Sequence, residues 1–548
     1  MGIYLNPGND NFKMALRSKI YVDKTELIKY TNGVMDTEMR YLCVSRPRRF
    51  GKSMAANMLC AYYGRGWDSL SLFQDRKIGS EETFQEHLNQ YDVIFLNIQQ
   101  FLRGAKELAK LVPYIEDRVL EELREAYPDA VRVGERNLPD ALASVYSKDK
   151  REQRGFIFII DEWDCIFREA KDQSGVQKEY LDLLQDLLKD RAYVKLAYMT
   201  GILPIKKYGT HKVNSAESRR EGPLGGSALN IFDEFSMTDP KCLAPFFGFT
   251  GDEVADLCES NDIDLEEAEH WYDGYRFPED LHIYNPRSIV DLMHHRKFKS
   301  YWTRTETYEA LKLYIDMDFD GLKEAVAAML GGISCRINPE RFQNDMTSFN
   351  DKDDILTLLV HLGYLAYEEK EQKVYIPNLE IAGEFGNAVA GDKGWGYVSA
   401  ALAASDRLLQ ATLEQDGEAV AKGIDIVHME NTSILSYNDE NALSCVITLA
   451  YYSARKDYTL IRELPAGKGF ADMVFLPRKG SDRPALLVEL KWDQSAQGAI
   501  DQIKDRRYAG ALATYQGEVL LVGINYQKKT KAHSCRIEKI VGDGMIGR

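Results

Sequence analysis

The sequence predicts an α/β fold: a parallel sheet with helices on both faces, then a mostly helical middle region, then a second, smaller α/β domain. Three observations lead there. Short apolar runs alternate with amphipathic segments up to about residue 200, helical periodicity takes over between about 225 and 425, and a hairpin pattern flanked by helix candidates follows. The 548 residues exceed what one core can bury, since domains hold roughly 100–200 residues. The composition changes place the domains at 1–225, 226–425 and 426–548.

Four runs, 41–45, 93–97, 156–160 and 194–199, are short, nearly uninterrupted and rich in β-branched or aromatic residues. Strands buried on both faces read this way. Amphipathic segments such as 106–127 and 177–189 separate them, and strand–helix–strand repeats imply a parallel sheet. In the middle region, 354–365 has helical periodicity, 277–280 is a Pro-containing loop, and 373–377 reads as the wing strand of a winged-helix-like unit. Beyond 425 come a helix candidate, a two-stranded hairpin, a helix over 495–508 and a last strand.

Composition removes several classes of function. A net charge of −16 argues against a chain coated for nucleic acid, yet residues 426–548 carry +3 while the remainder carries −19. A locally basic C-terminal domain can hold phosphates while the rest stays soluble. With no apolar run of ~18 residues, no transmembrane helix and no membrane partner are expected. Residues 1–20 lack a secretory h-region, and Asn6 stands where myristoylation requires Ser or Thr. The eight cysteines form no CxxC pair, which argues against a zinc ribbon and fits reduced thiols in the cytoplasm. His294 and His295 have no carboxylate or cysteine at ligand spacing and read as surface residues.

Residues 46–53 read Arg-Pro-Arg-Arg-Phe-Gly-Lys-Ser, between a predicted strand and a helix over 54–63. A phosphate-binding loop needs this order: backbone N–H groups cradle phosphates, a lysine reaches the β and γ oxygens, and a hydroxyl holds Mg²⁺. Gly51, Lys52 and Ser53 occupy those roles, and Pro47, Arg48, Arg49, Phe50 and Met54 complete the expected nucleotide contacts. Arg46 replaces the usual first glycine.

The third run ends in Asp161-Glu162, which puts two carboxylates at the C-terminal sheet edge where ligands of open α/β sheets bind. Asp161 is expected to coordinate Mg²⁺ and Glu162 to polarise the water that attacks ATP. Thr200, at the end of the fourth run, is placed to sense a γ-phosphate, though threonine is common at strand ends. Arg219 and Arg220 are arginine-finger candidates, but solvated loop charges are the commoner case.

In the C-terminal region two apolar runs flank a polar loop at 478–483. A turn at 480–481 makes Asp472 and Glu489 equidistant from it, and strand alternation puts Glu489 and Lys491 on one face. Two carboxylates and an ammonium at one spot suit Mg²⁺-assisted phosphodiester hydrolysis. Lys491 can orient the attacking water. Glu440, at the start of the preceding helix, is a further candidate metal carboxylate, and Gln502 on the following helix reaches toward the site, whereas Tyr508 does not share its face.

Taken together, Tyr21-Val-Asp-Lys24, the 45–53 run, Asp161-Glu162, Trp271-Tyr-Asp-Gly-Tyr275, Tyr284-Asn-Pro286, Tyr301-Trp302, Gly469-Phe-Ala-Asp472, Glu489-x-Lys491 and Val522-Gly-Ile-Asn525 closely resemble a bacterial predicted AAA-ATPase-like family with a C-terminal PD-(D/E)XK nuclease domain. The resemblance implies a P-loop NTPase core, a nuclease-like C-terminal domain, Asp472, Glu489 and Lys491 as nuclease residues, and the missing first glycine as a family trait. Glu463 also matches a family position, without a role. Three functions are weighed: an ATP-hydrolysing protein coupled to a Mg²⁺-dependent nuclease acting on DNA or RNA, a signalling ATPase switch whose C-terminal domain binds nucleic acid or a partner without cutting, or an ATP-binding scaffold with neither turnover. Each is compatible with a homo-oligomer.

Overall fold

The computed structural model describes residues 2–148, 155–205, 229–302, 307–317, 319–342, 349–390, 395–431, 440–466, 469–478, 481–505 and 517–540. The chain forms two compact units: Met1–Phe298 with Arg336–Val374, and Lys299–Cys335 with Tyr375–Arg548.

The first unit is built on a parallel sheet. Its strands β1 (Tyr41–Ser45), β2 (Asp92–Asn97), β3 (Phe156–Asp161), β4 (Val194–Gly201) and β5 (Asp233–Phe235) lie in the order β2-β3-β4-β1-β5. Alternate residues of each run feed opposite cores, so the runs must be apolar throughout. Phe156, Phe158 and Ile160 pack with the helices Leu111–Ala126 and Ser174–Leu188, while Ile157 and Ile159 pack with Leu42, Val44 and the helix Lys52–Tyr63. Each such side chain, taken fully from water, contributes about 1.5–3 kcal/mol.

Two expectations shift in detail. The helix expected over 106–127 begins at Leu111, because Lys106 takes a left-handed conformation (φ 59°) and a short 3₁₀ turn intervenes. β5 has only three residues, too few to register as a periodic signal.

Two small sheets follow in the chain. β6 (Phe249–Thr250), β7 (Tyr275–Phe277) and β8 (Leu281–Tyr284) pair as β6-β8-β7. The loop expected at 277–280 is the β7–β8 turn, with Glu279 and Asp280 at positive φ. The helix Lys352–Leu362 is capped by Asp351 and stopped by left-handed Gly363. The sheet of β9 (Cys335–Arg336), β10 (Ala366–Glu368) and β11 (Lys373–Tyr375) includes the wing-like segment.

The second unit carries a mixed sheet: β12 (Tyr458–Ala466), β13 (Gly469–Pro477), β14 (Ala485–Trp492), β15 (Val519–Gln527) and β16 (Ala532–Ile540), paired in chain order. Only β14 and β15 run parallel, joined across the helix Ala496–Asp505. Met473, Phe475, Leu486 and Val488 pack on one face with Leu443, Val446 and Ile447 of the helix Glu440–Ala450. Val474, Leu487 and Leu521 pack on the other with Ile500 and Ile503. Two strands of this sheet lie outside the sequence reading. β12 carries Pro465 and β16 alternates polar residues, both of which edge strands tolerate and buried strands do not.

Candidate functional site

β1 leads directly into the phosphate loop, and the Arg46 N–H donates to Gly201 O of β4 at 3.0 Å. Gly51 has φ 88°, a conformation that suits glycine, and a Cβ added there would meet nothing within 4 Å. The helix Lys52–Tyr63 starts on the next residue. Lys52 is buried, its Nζ donating to Arg46 O (3.0 Å) and Pro47 O (2.9 Å). Burial pulls its ammonium below the ordinary lysine range, opposed by the charges of Glu162, Asp164 and Asp161. Arg48, Ser53 and Met54 are exposed, Pro47 and Phe50 are buried, and Arg49 adopts φ 71°.

The sheet brings the acids to this loop. Asp161 pairs in register with Thr200, and Thr200 with Val44, so three strand ends line up at one level. Asp161 and Thr200 continue the face of β3 and β4 that packs against the Lys52 helix. Asp161 is 1% exposed. Burial pushes its carboxyl up to about 6, while the Ser53 hydroxyl beside it works in the opposite direction. Asn97 Nδ2 donates to Asp161 Oδ2 at 3.2 Å, whereas Asp161 Oδ1 and Thr200 Oγ1 are buried and have no partner among the described residues.

Glu162, at φ 54°, is ion-paired with Arg168 at 2.5 Å. Arg168 also binds Asp164 at 3.0 Å, and Asp164 is fully buried and accepts the Leu203 N–H. These two carboxylates raise the Arg168 pKa against the cost of its burial. Arg168 is a site residue the sequence reading missed. Its signal was the Asp164–Arg168 spacing, which puts both side chains on one side of the short helix Cys165–Glu169.

In the second unit β13 and β14 pair as Met473↔Val488, so one step further Asp472 stands opposite Glu489. Both lie on the face packed by the helix Ala496–Asp505. Asp472 Oδ2 accepts the Leu490 N–H at 2.7 Å. Glu489, 1% exposed, accepts Lys491 Nζ at 3.3 Å and the Gln502 amide. Gly523 of β15 pairs with Glu489, and a Cβ there would lie 2.3 Å from Ala496 O, so the glycine lets the helix bring Gln502 over the carboxylate. On the other side of Asp472, the β12 register places Glu463 opposite it by backbone position. The side chains of Glu463 and Glu440 lie outside the described residues, as do Arg219, Arg220 and Tyr508.

Comparison with known proteins reads these two regions directly. Residues 8–210 match the model of the AAA-ATPase-like family, described as a predicted AAA-ATPase, and residues 438–534 match the PD-(D/E)XK nuclease superfamily. The chain joins an AAA-ATPase-like domain to a PD-(D/E)XK superfamily domain. An uncharacterized protein in the vnfD 5' region of Azotobacter chroococcum mcd 1 is 24% identical over 297 residues, 52% of this chain and 51% of that protein. The chain thus spans about half the length of this curated relative.

In the AAA-ATPase-like domain, a buried carboxylate oxygen and a buried hydroxyl without partners, beside Ser53 and Lys52, form a hard-oxygen and ammonium set that fits Mg²⁺ with a polyphosphate. In the PD-(D/E)XK domain, Asp472 and Glu489 supply two hard-oxygen donors that suit the same ion. Among the described residues no three His, Cys, Asp or Glu side chains cluster as a metal site.

The phosphate loop is also gripped from residues well beyond it. Phe50 stacks edge-on to Tyr275 with ring centroids 5.4 Å apart, and its carbonyl accepts the Gly248 N–H at 3.1 Å. Fully buried Arg46 donates to Phe235 O at 2.8 Å and lies over the rings of Phe247 and Phe277. Burial pushes its guanidinium down to about 10. The aromatic side of the Arg46 substitution was not legible from residues 46–53 alone.

Proposed function

We propose that this protein binds and hydrolyses ATP with Mg²⁺ at the AAA-ATPase-like domain, and that ATP turnover controls Mg²⁺-dependent cleavage of nucleic-acid phosphodiesters at the Asp472–Glu489–Lys491 hairpin. The observation that carries the reading is the pairing of orphaned Asp161 Oδ1 and Thr200 Oγ1 with Lys52 and Ser53 at one sheet edge. Lys52 and the loop N–H groups would bind and orient phosphates, and Ser53 and Asp161 would hold the ion. Glu162 would polarise the attacking water once it leaves Arg168. In the hairpin, Asp472 and Glu489 would hold Mg²⁺, which supplies charge stabilisation at the scissile phosphate and a more acidic bound water. Lys491 would orient that water.

Seven cysteines are free among the described residues, and no described helix is long and apolar enough to cross a membrane, which favours a cytoplasmic setting. A second reading, an ATPase switch whose C-terminal domain binds without cutting, draws support from Glu489 already being engaged by Lys491 and Gln502.

One experiment separates them. The protein is incubated with Mg²⁺ and ATP and with DNA and RNA substrates, beside Asp472→Ala, Lys491→Ala and Glu162→Gln. The nuclease reading expects cleavage by the parent that both hairpin variants lose. Glu162→Gln is expected to bind ATP without turning it over. Equal products from parent and Lys491→Ala would defeat the nuclease assignment, and full turnover by Glu162→Gln would defeat the ATPase assignment.

A further inference from the structure

We infer that the turn after β15, residues 528–531, is a docking edge for a nucleic-acid backbone on the PD-(D/E)XK domain. The choice of partner rests on the nuclease reading above. The turn reads Lys528-Lys-Thr-Lys531, and all four residues are exposed. Among the described side chains, neighbouring cations are matched: Lys504 and Arg536 bind Glu538 at 2.6 and 3.1 Å, and Lys539 binds Glu518 at 2.5 Å. Lys528, Lys529 and Lys531 form no such ion pair among the described residues. In a chain of net charge −16, three unmatched ammonium groups in four residues make a local exception.

The turn is built rather than loose. Asp493 Oδ1 accepts the Lys528 N–H at 2.7 Å, and the Asp493 N–H donates to Tyr526 O at 2.8 Å. Lys531 closes the turn in a left-handed conformation (φ 52°). Asp493 directly follows Trp492, so the turn is tied to the end of the strand that carries Glu489 and Lys491. β14 and β15 are parallel, with Lys491↔Asn525 and Trp492↔Tyr526 in register, which places the turn at the sheet end where β14 finishes, just beyond Glu489 and Lys491. Glu489 is three residues from that end, ~10 Å at the rise of a strand. Partly buried Trp492, its ring tilted against Tyr526 at 4.8 Å, ends β14 on the face opposite Glu489 and Lys491. A run of exposed cations on an anchored turn, at the sheet end toward which the carboxylate pair lies, is what a phosphodiester polymer requires: phosphate contacts that set its register over the site. An anionic lipid surface would use the lysines but not the carboxylates behind them.

The test measures binding in the Asp472→Ala background, so that it does not depend on cutting. Labelled single-stranded DNA, duplex DNA and RNA are titrated by anisotropy over a range of salt. Lys528→Gln/Lys529→Gln/Lys531→Gln is expected to lose roughly ten- to a hundredfold in affinity and to flatten the log–log salt slope by about 2–3, near 0.7–0.9 per lost phosphate contact. Lys29→Gln/Lys110→Gln/Lys422→Gln removes the same charge at exposed, ion-paired lysines and is expected to match the parent. The inference is overturned if no probe binds, if the turn variant binds like the parent, if both variants weaken equally, or if only binding to phosphatidylserine vesicles changes. Binding lost in the turn variant, with no cleavage by the protein bearing Asp472, would sink the nuclease reading and leave the docking edge standing.

Discussion

Asp161 shows how burial sets the chemistry of one side chain. A carboxyl 1% exposed with one unpartnered oxygen destabilises its own ionised form, and its pKa rises to about 6 against roughly 3.9 in an unfolded chain. With the folded value raised, this group's contribution to stability is fully present below about pH 4 and is lost as pH rises through 6. The difference amounts to roughly 3 kcal/mol. Asp161→Asn is therefore expected to be more stable than the parent at neutral pH without nucleotide, by up to about that amount, with the gain reduced to about 1 kcal/mol at pH 4.5. Urea unfolding at the two pH values checks this, and the same stability gain at both would contradict it. Mg²⁺ and ATP should stabilise the parent above pH 6 and the variant less, since a divalent ion needs the ionised carboxylate. Arg168 works the other way. It holds Glu162 and buried Asp164 together, so the candidate base is kept in an ion pair rather than in solvent.

At the scale of elements, both sites depend on a helix seated close to a sheet. The Lys52–Tyr63 helix starts at Gly51 because only an αL turn carries β1 into it, and that turn aims Lys52 back at the loop carbonyls. The Ala496–Asp505 helix approaches β15 at Gly523, where a Cβ would lie 2.3 Å from backbone oxygen and 3.1 Å from Ala499 Cβ. Gly523→Ala forces the helix outward. It is expected to cost about 1–3 kcal/mol and to separate Gln502 from Glu489. Thermal unfolding reads the first effect, and hydrogen exchange across 496–505 reads the second. Unchanged exchange together with an unchanged melting point would show that the helix does not depend on this close approach.

At the scale of the whole molecule, the AAA-ATPase-like sheet is finished by chain that follows it late. β5, the Phe235 carbonyl that holds Arg46, and the rings of Phe247, Tyr275 and Phe277 all come after residue 225. A fragment of residues 1–225 exposes the open side of β1 and strips the Arg46 guanidinium of the Phe235 carbonyl and of the rings that bury it, leaving only Ser45 O as its acceptor. It is expected to aggregate or to bind ATP far more weakly than the full chain. Gel filtration and nucleotide titration of the fragment decide this, and a monomer with full-length affinity would contradict it. Fold class was legible because the runs at 41–45, 93–97, 156–160 and 194–199 are apolar throughout, as buried parallel strands must be. β5, β12 and β16 were not legible, because short or edge strands carry no continuous apolar signal.

What the amino-acid order determined by itself was local: a strand, a glycine turn, a lysine and a hydroxyl in sequence, and a hairpin whose symmetric spacing sets Asp472 across from Glu489. Those relations survive because backbone geometry alone dictates them over a few residues. The tertiary structure alone decided the rest. Asp161 reaches the phosphate loop through strand order, with β4 between β3 and β1, and Arg168 captures Glu162 after a turn at positive φ. Phe50 and Arg46 are held by rings some 200 residues away in the chain. Contacts of that range are set by packing and by the satisfaction of buried polar groups, and no short window of sequence contains both partners.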